Sequence, residues 1–306
     1  MNEGEMLLIK VPASTANLGP GFDSIGLALN LYLTLEVVLS DRWEVIPLTD
    51  ELKEFPNDEK NFIVKTAIEV AKSFQTLLSP CQIKVASNIP LARGLGSSAS
   101  AIVAGIELAD QVGDLRLTKH QKFEIASKME GHPDNVGASL FGGLVIGCQL
   151  GEEVDAEIIH SIDLEVLAVI PEEELLTKSS RGVLPSSLSF GEAVSAGAIS
   201  NLLVAALLSG NIELAGKMMK KDKYHQPYRK ELVPHLQIME DQAYELGAYG
   251  VALSGAGPTV LCFVRPGEMN ALMEGLTPLL PEMCFLPLEI DKEGSLCSGA
   301  IVTKAQ

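Results

Sequence analysis

The sequence predicts an α+β fold in two domains. Three observations carry this. Leucine and valine alternate with polar residues over one long segment, apolar residues recur at helical spacing over others, and the two kinds of segment do not alternate regularly. Regular alternation would predict a parallel α/β sheet, so its absence points to α+β. The chain has 306 residues, which at roughly 150 residues per domain suggests two domains. The boundary is placed near the acidic stretch "LGEEVDAE", giving domains 1–160 and 161–306.

The elements follow in order. "LLIKVPAS" reads as a strand, followed by a glycine- and proline-rich loop, "TANLGPGFDSIG". Leu27, Leu29, Leu31, Leu33, Leu35, Val37 and Leu39 then occupy successive odd positions, against Asn30, Tyr32, Thr34, Glu36 and Ser40. That period of two predicts a long strand with one buried face. Across 61–78, Val64, Ala67, Ile68, Ala71, Phe74 and Leu78 give a helical stripe. "QIKVAS" is a short strand. Thr118 with Gln121 predicts a capping box, opening a helix that runs through Glu130 and closes at Gly131. "GGLVIG" and "EVLAVIP" read as strands. From about 177 to 247 the chain is helix-rich. Its greasiest part, 193–210, is interrupted by Ser195, Ser200 and Asn201, so a buried helix is expected rather than a membrane span. "GVALSGAGPTVLCFVRP" reads as strand, loop and strand, "GEMNALMEGLTPLL" as a helix, and two late strands follow.

Composition narrows the function. Hydrophobic residues make up 47% and aromatics 5%, enough for a core built from Leu, Ile, Val and Ala. The formal net charge of −17 argues against nucleic acid or an anionic membrane as partner. The cysteines, Cys81, Cys148, Cys262, Cys284 and Cys297, are five in number with no CxxC pair. A reducing cytoplasm is expected, with neither a disulfide framework nor a zinc site. "MNEGEMLLIKVPAS" lacks a basic region followed by an apolar one, so no signal peptide is expected.

The stretch "PLARGLGSSASA" is the strongest chemical signal. Gly94 and Gly96 permit a left-handed backbone and close approach. Ser97 and Ser98 fall where a helix starts, so unpaired N–H groups and the positive dipole end can hold an anion. A serine hydroxyl there could ligate Mg²⁺. An ordinary glycine turn with a serine cap fits the bare pattern equally well. The Walker pattern is absent because no lysine follows Gly96, and no dinucleotide or protein-kinase pattern is present.

Other candidates are modest singly. Glu130 ends a helix before "GHPDN", where a carboxylate could join a serine on Mg²⁺ or simply be a solvated charge. His132, Asp134 and Asn135 form a polar knot that turn chemistry also explains. Asn17 and Asp23 flank "LGPGF", as substrate groups or as two Asx turns. Arg181 and Arg229 suit bidentate carboxylate binding or surface ion pairs. "SGAGPTV" is a tight turn approaching a ligand, or a plain hairpin.

Their order along the chain is more specific. "PLARGLGSSASA" resembles the phosphate loop of the GHMP kinases (galactokinase, homoserine kinase, mevalonate kinase and phosphomevalonate kinase). "SGAGPTV" resembles that superfamily's C-terminal glycine motif. "VPASTANLGPGFDSIGLAL", "EGHPDNV", "SSRGVLP" and "QPYRKELVP" are similar to motifs of its homoserine kinase branch. The resemblance covers Val11 to Val260.

It implies a two-domain GHMP-kinase fold: an N-terminal α/β domain with a left-handed βαβ unit, and a ferredoxin-like C-terminal domain. It implies ATP on Pro90, Leu91, Ala92, Arg93, Gly94, Leu95, Gly96, Ser97, Ser98, Ala99 and Ser100, with Asn61 at the adenine. Ser98 and Glu130 match Mg²⁺ ligands and count, with Asp23, among the catalytic residues. Asn17, Asp23, His132, Asn135, Arg181 and Arg229 match the amino-acid substrate site. The implied reaction moves the γ-phosphoryl of ATP to the side-chain hydroxyl of L-homoserine, a step in threonine biosynthesis. Arg181 and Arg229 suit the substrate's carboxylate; Asp23, Asn17 and Asn135 suit its ammonium and hydroxyl. No dedicated strong base is expected, because Asn135 stands near the place where several relatives carry an aspartate. A mevalonate kinase-like enzyme is the alternative, although the Pro-Gly-Lys expected of it is missing. A diphosphomevalonate decarboxylase would need a basic cluster that is not evident, and a non-catalytic sensor would not need Ser98 and Glu130. L-Homoserine is the expected partner, with no nucleic acid and no membrane; a homodimer is an open expectation.

Overall fold

The computed structural model describes residues 6–299. Met1 to Glu5 of the N-terminal stretch and residues 300–306 of the second expected domain lie outside the described residues.

Strands β1 (Leu7–Asn17) and β2 (Gly21–Leu39) form a long antiparallel hairpin. The alternation in β2 is as expected from Leu27 to Val37, with Leu27, Leu29, Leu31, Leu33, Leu35 and Val37 buried, but Leu39, at the end of the strand, is exposed. The expected loop is tighter than its composition suggests. Only Leu18 to Pro20 separate the strands, so Asn17 and Asp23 stand at strand ends with left-handed backbones, φ 76° and 54°. Asn and Asp tolerate that conformation better than other side-chain-bearing residues.

Next, β3 (Glu44–Pro47) leads through a short 3₁₀ turn and α1 (Phe62–Ser73) to β4 (Cys81–Ser87), which pairs parallel with β3. Helix α1 is shorter than the 61–78 span. The chain leaves it at Phe74, and Gln75 takes φ 56°. Its packed face is Ile63, Val64, Ala67, Val70 and Ala71, while Ile68 and Phe74, expected on that face, are exposed.

Three helices follow: α2 (Ser97–Gly113), α3 (Lys119–Glu130) and α4 (Asp134–Phe141). The capping box of α3 is present. Gln121 N–H donates to Thr118 Oγ1 at 3.2 Å, and Thr118 N–H donates to Gln121 Oε1 at 2.9 Å. Gly131 closes the helix at φ 89°. The hairpin of β5 (Leu144–Leu150) and β6 (Glu153–Ile159) then joins the first sheet through β2.

The second half begins with β7 (Glu165–Ile170) and continues through α5 (Thr177–Gly182), α6 (Phe190–Leu208), α7 (Ile212–Met219), α8 (Gln226–Arg229) and α9 (His235–Gln242). The hairpin β8 (Ala248–Leu253) and β9 (Val260–Val264), α10 (Met269–Leu276) and β10 (Cys284–Leu288) complete a four-stranded sheet. Its order is β10-β7-β9-β8 with every neighbour antiparallel. Numbered within the sheet, that is 4-1-3-2 in a β-α-β-β-α-β sequence, the ferredoxin-like arrangement. The last strand, β11 (Leu296–Gly299), returns to the first sheet and pairs with β1. The first sheet therefore runs β11-β1-β2-β4-β3, with β5 and β6 attached to β2.

Helix α6 differs from expectation. Only Ala196, Leu203, Ala206 and Leu207 are buried, and the opposite side is open. Its length and composition would suffice to cross a membrane, yet Leu203, Ala206 and Leu207 belong to the main core. A run that is apolar all round does not reveal how many of its faces the protein itself covers.

Candidate active site

The site is built around the start of α2. Gly94 and Gly96 take φ 79° and 72°. The first helical bond runs from Ser100 N–H to Gly96 O at 2.9 Å. The N–H groups of Ser97, Ser98 and Ala99 thus have no helical acceptor and stand at the positive end of a 17-residue helix. The loop's shape is set from outside. Ser254 Oγ donates to Gly94 O at 2.6 Å, and Thr259 N–H donates to Arg93 O at 3.3 Å. A side chain at Gly94 would put its Cβ 2.3 Å from Ser254 O. The turn between β8 and β9 is thereby packed directly onto the loop, as "SGAGPTV" suggested.

Two cavities meet here, and Ala92, Ser97 and Ser98 line both. The first, of about 510 Å³, is mostly apolar, with Leu33, Val45, Phe55, Ile63 and Val85 in its walls. Asn61 lines it too. Its amide caps α1, accepting from Ile63 N–H at 3.0 Å and donating to Pro56 O at 2.9 Å. The second cavity, of about 280 Å³, is richer in polar groups than the first and holds Asn17, Asp23, Glu130, His132, Asp134, Asn135, Arg181 and Arg229. All the residues singled out for the amino-acid site thus converge, from both halves of the chain.

Within the loop the side chains divide. Leu95, Ala99 and Ser100 are buried, and Ser100 Oγ donates to Pro12 O at 2.9 Å. Arg93 turns away from the phosphate end. It donates to Leu91 O, Pro171 O and Glu172 O and pairs with Glu174 at 3.3 Å. These residues shape the loop; Ser97 and Ser98 face the cavities.

Ser98 Oγ donates to Glu130 Oε2 at 3.4 Å. Burial pushes the Glu130 carboxyl above its ordinary value, against the pull of His132. His132 Nδ1 lies 2.5 Å from Asp134 Oδ1. Burial opposes the charge on His132, but the hydrogen bond and charge of Asp134, together with the charges of Asp23 and Glu130, outweigh it and raise the pKa. Asp134 also accepts from Asn135 N–H at 2.7 Å. Ser14 Oγ donates to Asn135 Oδ1 at 3.0 Å and accepts from Ser139 Oγ at 3.1 Å, which leaves the Asn135 NH₂ toward the cavity. Asn17 Nδ2 donates to Gly255 O, and its Oδ1 accepts from Asp23 N–H, both at 3.0 Å.

Asp23 and Arg181 pair with each other. Arg181 Nη1 and Nη2 donate to Asp23 Oδ2 and Oδ1 at 3.0 and 2.6 Å. Arg229 is buried; it donates from Nε to Ser180 O at 3.2 Å and from Nη1 to Gly255 O at 2.9 Å. Nη1 also lies 3.0 Å from His225 Nδ1. Both Nη1 protons are used, so Nη2 remains for a ligand.

Sequence reasoning missed several groups that hold this site. His225 Nε2 lies 2.8 Å from Gly19 O and donates to it, which fixes Nδ1 as the acceptor for Arg229. Asp222 accepts from the N–H groups of Tyr224, His225 and Gln226. Phe22 lies between the arginines, with guanidinium carbons 5.4 and 5.5 Å from its ring centre. The available signal was a histidine four residues before Arg229, one helical turn away.

This arrangement, a lysine-free glycine-rich loop joining an apolar cavity to one richer in polar groups beside a ferredoxin-like domain, is that of a class of small-molecule kinases. The family models "GHMP kinases N terminal domain" and "GHMP kinases C terminal" match residues 61–143 and 203–277, and the chain belongs to the GHMP kinases, in their homoserine kinase branch. It is 53% identical over 289 residues to the homoserine kinase of Bacillus cereus (strain ATCC 10987 / NRS 248), covering 94% of this chain and 95% of that one. A Listeria monocytogenes structure described as a homoserine kinase is 42% identical, with a TM-score of 0.83 over 95% of this chain and 99% of that one. The mevalonate kinase of Methanococcus jannaschii is 18% identical, with a TM-score of 0.71 over 94% of this chain and 99% of that one. It shares the fold alone, so the homoserine kinase reading stands over the mevalonate kinase alternative.

Proposed function

We infer that the chain is a homoserine kinase. It transfers the γ-phosphoryl of ATP to the side-chain hydroxyl of L-homoserine, giving O-phospho-L-homoserine and ADP in threonine biosynthesis. The observation that carries this reading is the pair of cavities meeting at Ser97 and Ser98. The apolar one suits a nucleoside and the one richer in polar groups a zwitterion, with the phosphate loop between them. In this reading residues 1–160 form the ATP-binding domain and 161–306 the C-terminal domain, apart from β11, which returns to the first sheet, and the unpaired cysteines suit a reducing cytoplasm.

The phosphates rest on the free N–H groups at the start of α2. Ser98 and Glu130 fit Mg²⁺: they offer a hydroxyl and a half-buried carboxylate that makes no salt bridge among the described residues, although His132 and Arg181 are near enough to act on its charge. Mg²⁺ held there would neutralise charge on the transferred phosphoryl group. The acceptor enters by exchange. Its carboxylate replaces Asp23 on the Arg181 fork and takes Arg229 Nη2, while its ammonium replaces Arg181 at Asp23. The exchange leaves no charge unpaired. Asn135 Nδ2, with Oδ1 held by Ser14, orients the hydroxyl. Asp134 holds the His132 ring at Nδ1. With Asn135 where a carboxylate base would stand, the hydroxyl proton passes to the phosphoryl oxygens, and catalysis rests on positioning and charge. A coupled assay of ADP release with Mg²⁺-ATP tests the reading. Turnover with L-homoserine and none with mevalonate or shikimate is expected; background ADP with L-homoserine would sink it.

A further inference from the structure

Arg93 clasps a segment from the second half of the chain. Its side chain is 16% exposed and folds over residues 171–176, which lead from β7 to α5. Nε donates to Pro171 O at 3.0 Å, Nη2 donates to Glu172 O, and Nη1 lies 3.3 Å from the Glu174 carboxylate. Leu175 N–H donates to Ala92 O at 3.3 Å. Among the described residues, no other hydrogen bond or ion pair ties 171–176 to an element beyond the β7 and α5 that it joins. Glu172, Glu173, Glu174 and Leu176 are exposed, and Leu175 packs on the second core.

The same guanidinium shapes the loop where the two cavities meet. Nη1 donates to Leu91 O at 2.9 Å, which closes the chain around Ala92. Ala92 takes φ 52°, a left-handed backbone that disfavours alanine, and it lines both cavities. Strain of this kind persists only where the surroundings impose it, and it gathers at working sites. Here the surroundings are the Arg93 side chain, the Leu175 N–H on Ala92 O and the Thr259 N–H on Arg93 O.

The clasped segment walls both cavities in turn. Glu174 lines the apolar one, and Leu175, Leu176 and Thr177 line the other. It then runs into α5, which carries or holds the two arginines of the second cavity. Ser180 Oγ donates to Ala256 O at 2.7 Å, Ser180 O accepts from Arg229 Nε, and Arg181 grips Asp23. Arg93 therefore stands at one end of a continuous run and Arg181 at the other.

We propose that Arg93 is a positioning residue that couples the two cavities, so that nucleotide and amino acid raise each other's affinity; this rests on the homoserine kinase reading. Phosphates on the N–H groups of Ser97 and Ser98 fix the loop, Arg93 passes that order to 171–176, and the segment sets Arg181. Order imposed by the first ligand is not imposed again by the second, and the gain is the same whichever binds first. Calorimetric titration of the full chain with L-homoserine, with and without saturating Mg²⁺ and the non-hydrolysable AMP-PNP, measures the coupling. In the wild type the analogue lowers Kd for L-homoserine about tenfold, and in Arg93→Met by less than about twofold. Arg93→Lys keeps the charge but lacks the fork, so its ratio falls alike, and it decides the matter where the apolar variant fails to fold. Glu172→Gln removes a charge from the segment, keeps the carbonyl that Arg93 uses and retains the wild-type ratio. A wild-type Kd indifferent to the analogue, a wild-type ratio in Arg93→Lys, or a loss in Glu172→Gln as large as in the Arg93 variants would overturn the coupling alone, with turnover of L-homoserine intact. No binding of L-homoserine under either condition would overturn the functional reading with it.

Discussion

Glu130 and Ser98 come from different helices, 32 residues apart, and approach to 3.4 Å at the phosphate loop. Replacing the carboxylate by an amide keeps the shape and removes the charge. Glu130→Gln is expected to lower kcat by about 100-fold or more, and steady-state kinetics across Mg²⁺ concentration would show it; wild-type kcat would contradict the assigned role. His225 is expected to set an acid limit. Burial first, and then the charge of Arg229, outweigh Asp222 and lower its pKa from 6.5 to about 4. The folded state then binds fewer protons than the unfolded state between those values, so stability rises with pH there and is lost as pH falls from about 6.5 toward about 4. The urea midpoint should drop between pH 7 and 5, and His225→Gln should flatten that drop; an identical profile in the variant would count against it. These partnerships were hard to read from sequence. Asp23 and Arg181 are 158 residues apart, and each alone looks like a free charge offered to substrate. That they neutralise each other depends on the two halves of the chain meeting.

At the scale of elements, the phosphate loop is a shape imposed by contacts. Gly94 needs a left-handed backbone, and the carbonyls of Ser254 and Gly257 stand 2.3 and 2.9 Å from where a Cβ would lie. Gly94→Ala is therefore expected to cost about 2 kcal/mol or more, lowering Tm and raising KM for ATP; an unchanged Tm would contradict the packing described. Local grammar was legible where the cause is local. The alternation in β2, the Thr118–Gln121 box and the Gly131 stop each rest on neighbouring residues, and each is present. Helix α1 shows the limit. Its stripe is correct through Ala71, but the left-handed turn at Gln75 has no glycine to announce it. Helix α6 shows another limit, because composition is the same whether a greasy face meets the core or solvent.

Across the whole molecule, the tail strand β11 pairs with β1, and the β8–β9 turn of the second sheet holds the loop attached to the first. The cavity lined by Asp23, Asn135 and Arg181 is consequently walled by both halves, and its assembly could be inferred only from the order of motifs, never from one of them. The fold class was legible from periodicity; the 4-1-3-2 order of the second sheet came through the resemblance, since pairing across 80 or more residues leaves no local mark. The net charge of −17 is compatible with ATP because the positive field is local, made of N–H groups and the dipole of α2. In the proposed reading ATP and L-homoserine lie on opposite sides of Ser97 and Ser98, and the KM values of Arg181→Met separate the two. A rise of about 100-fold in KM for L-homoserine, with KM for ATP held within roughly twofold, is the predicted result; a rise confined to ATP, or equal in both, would contradict it.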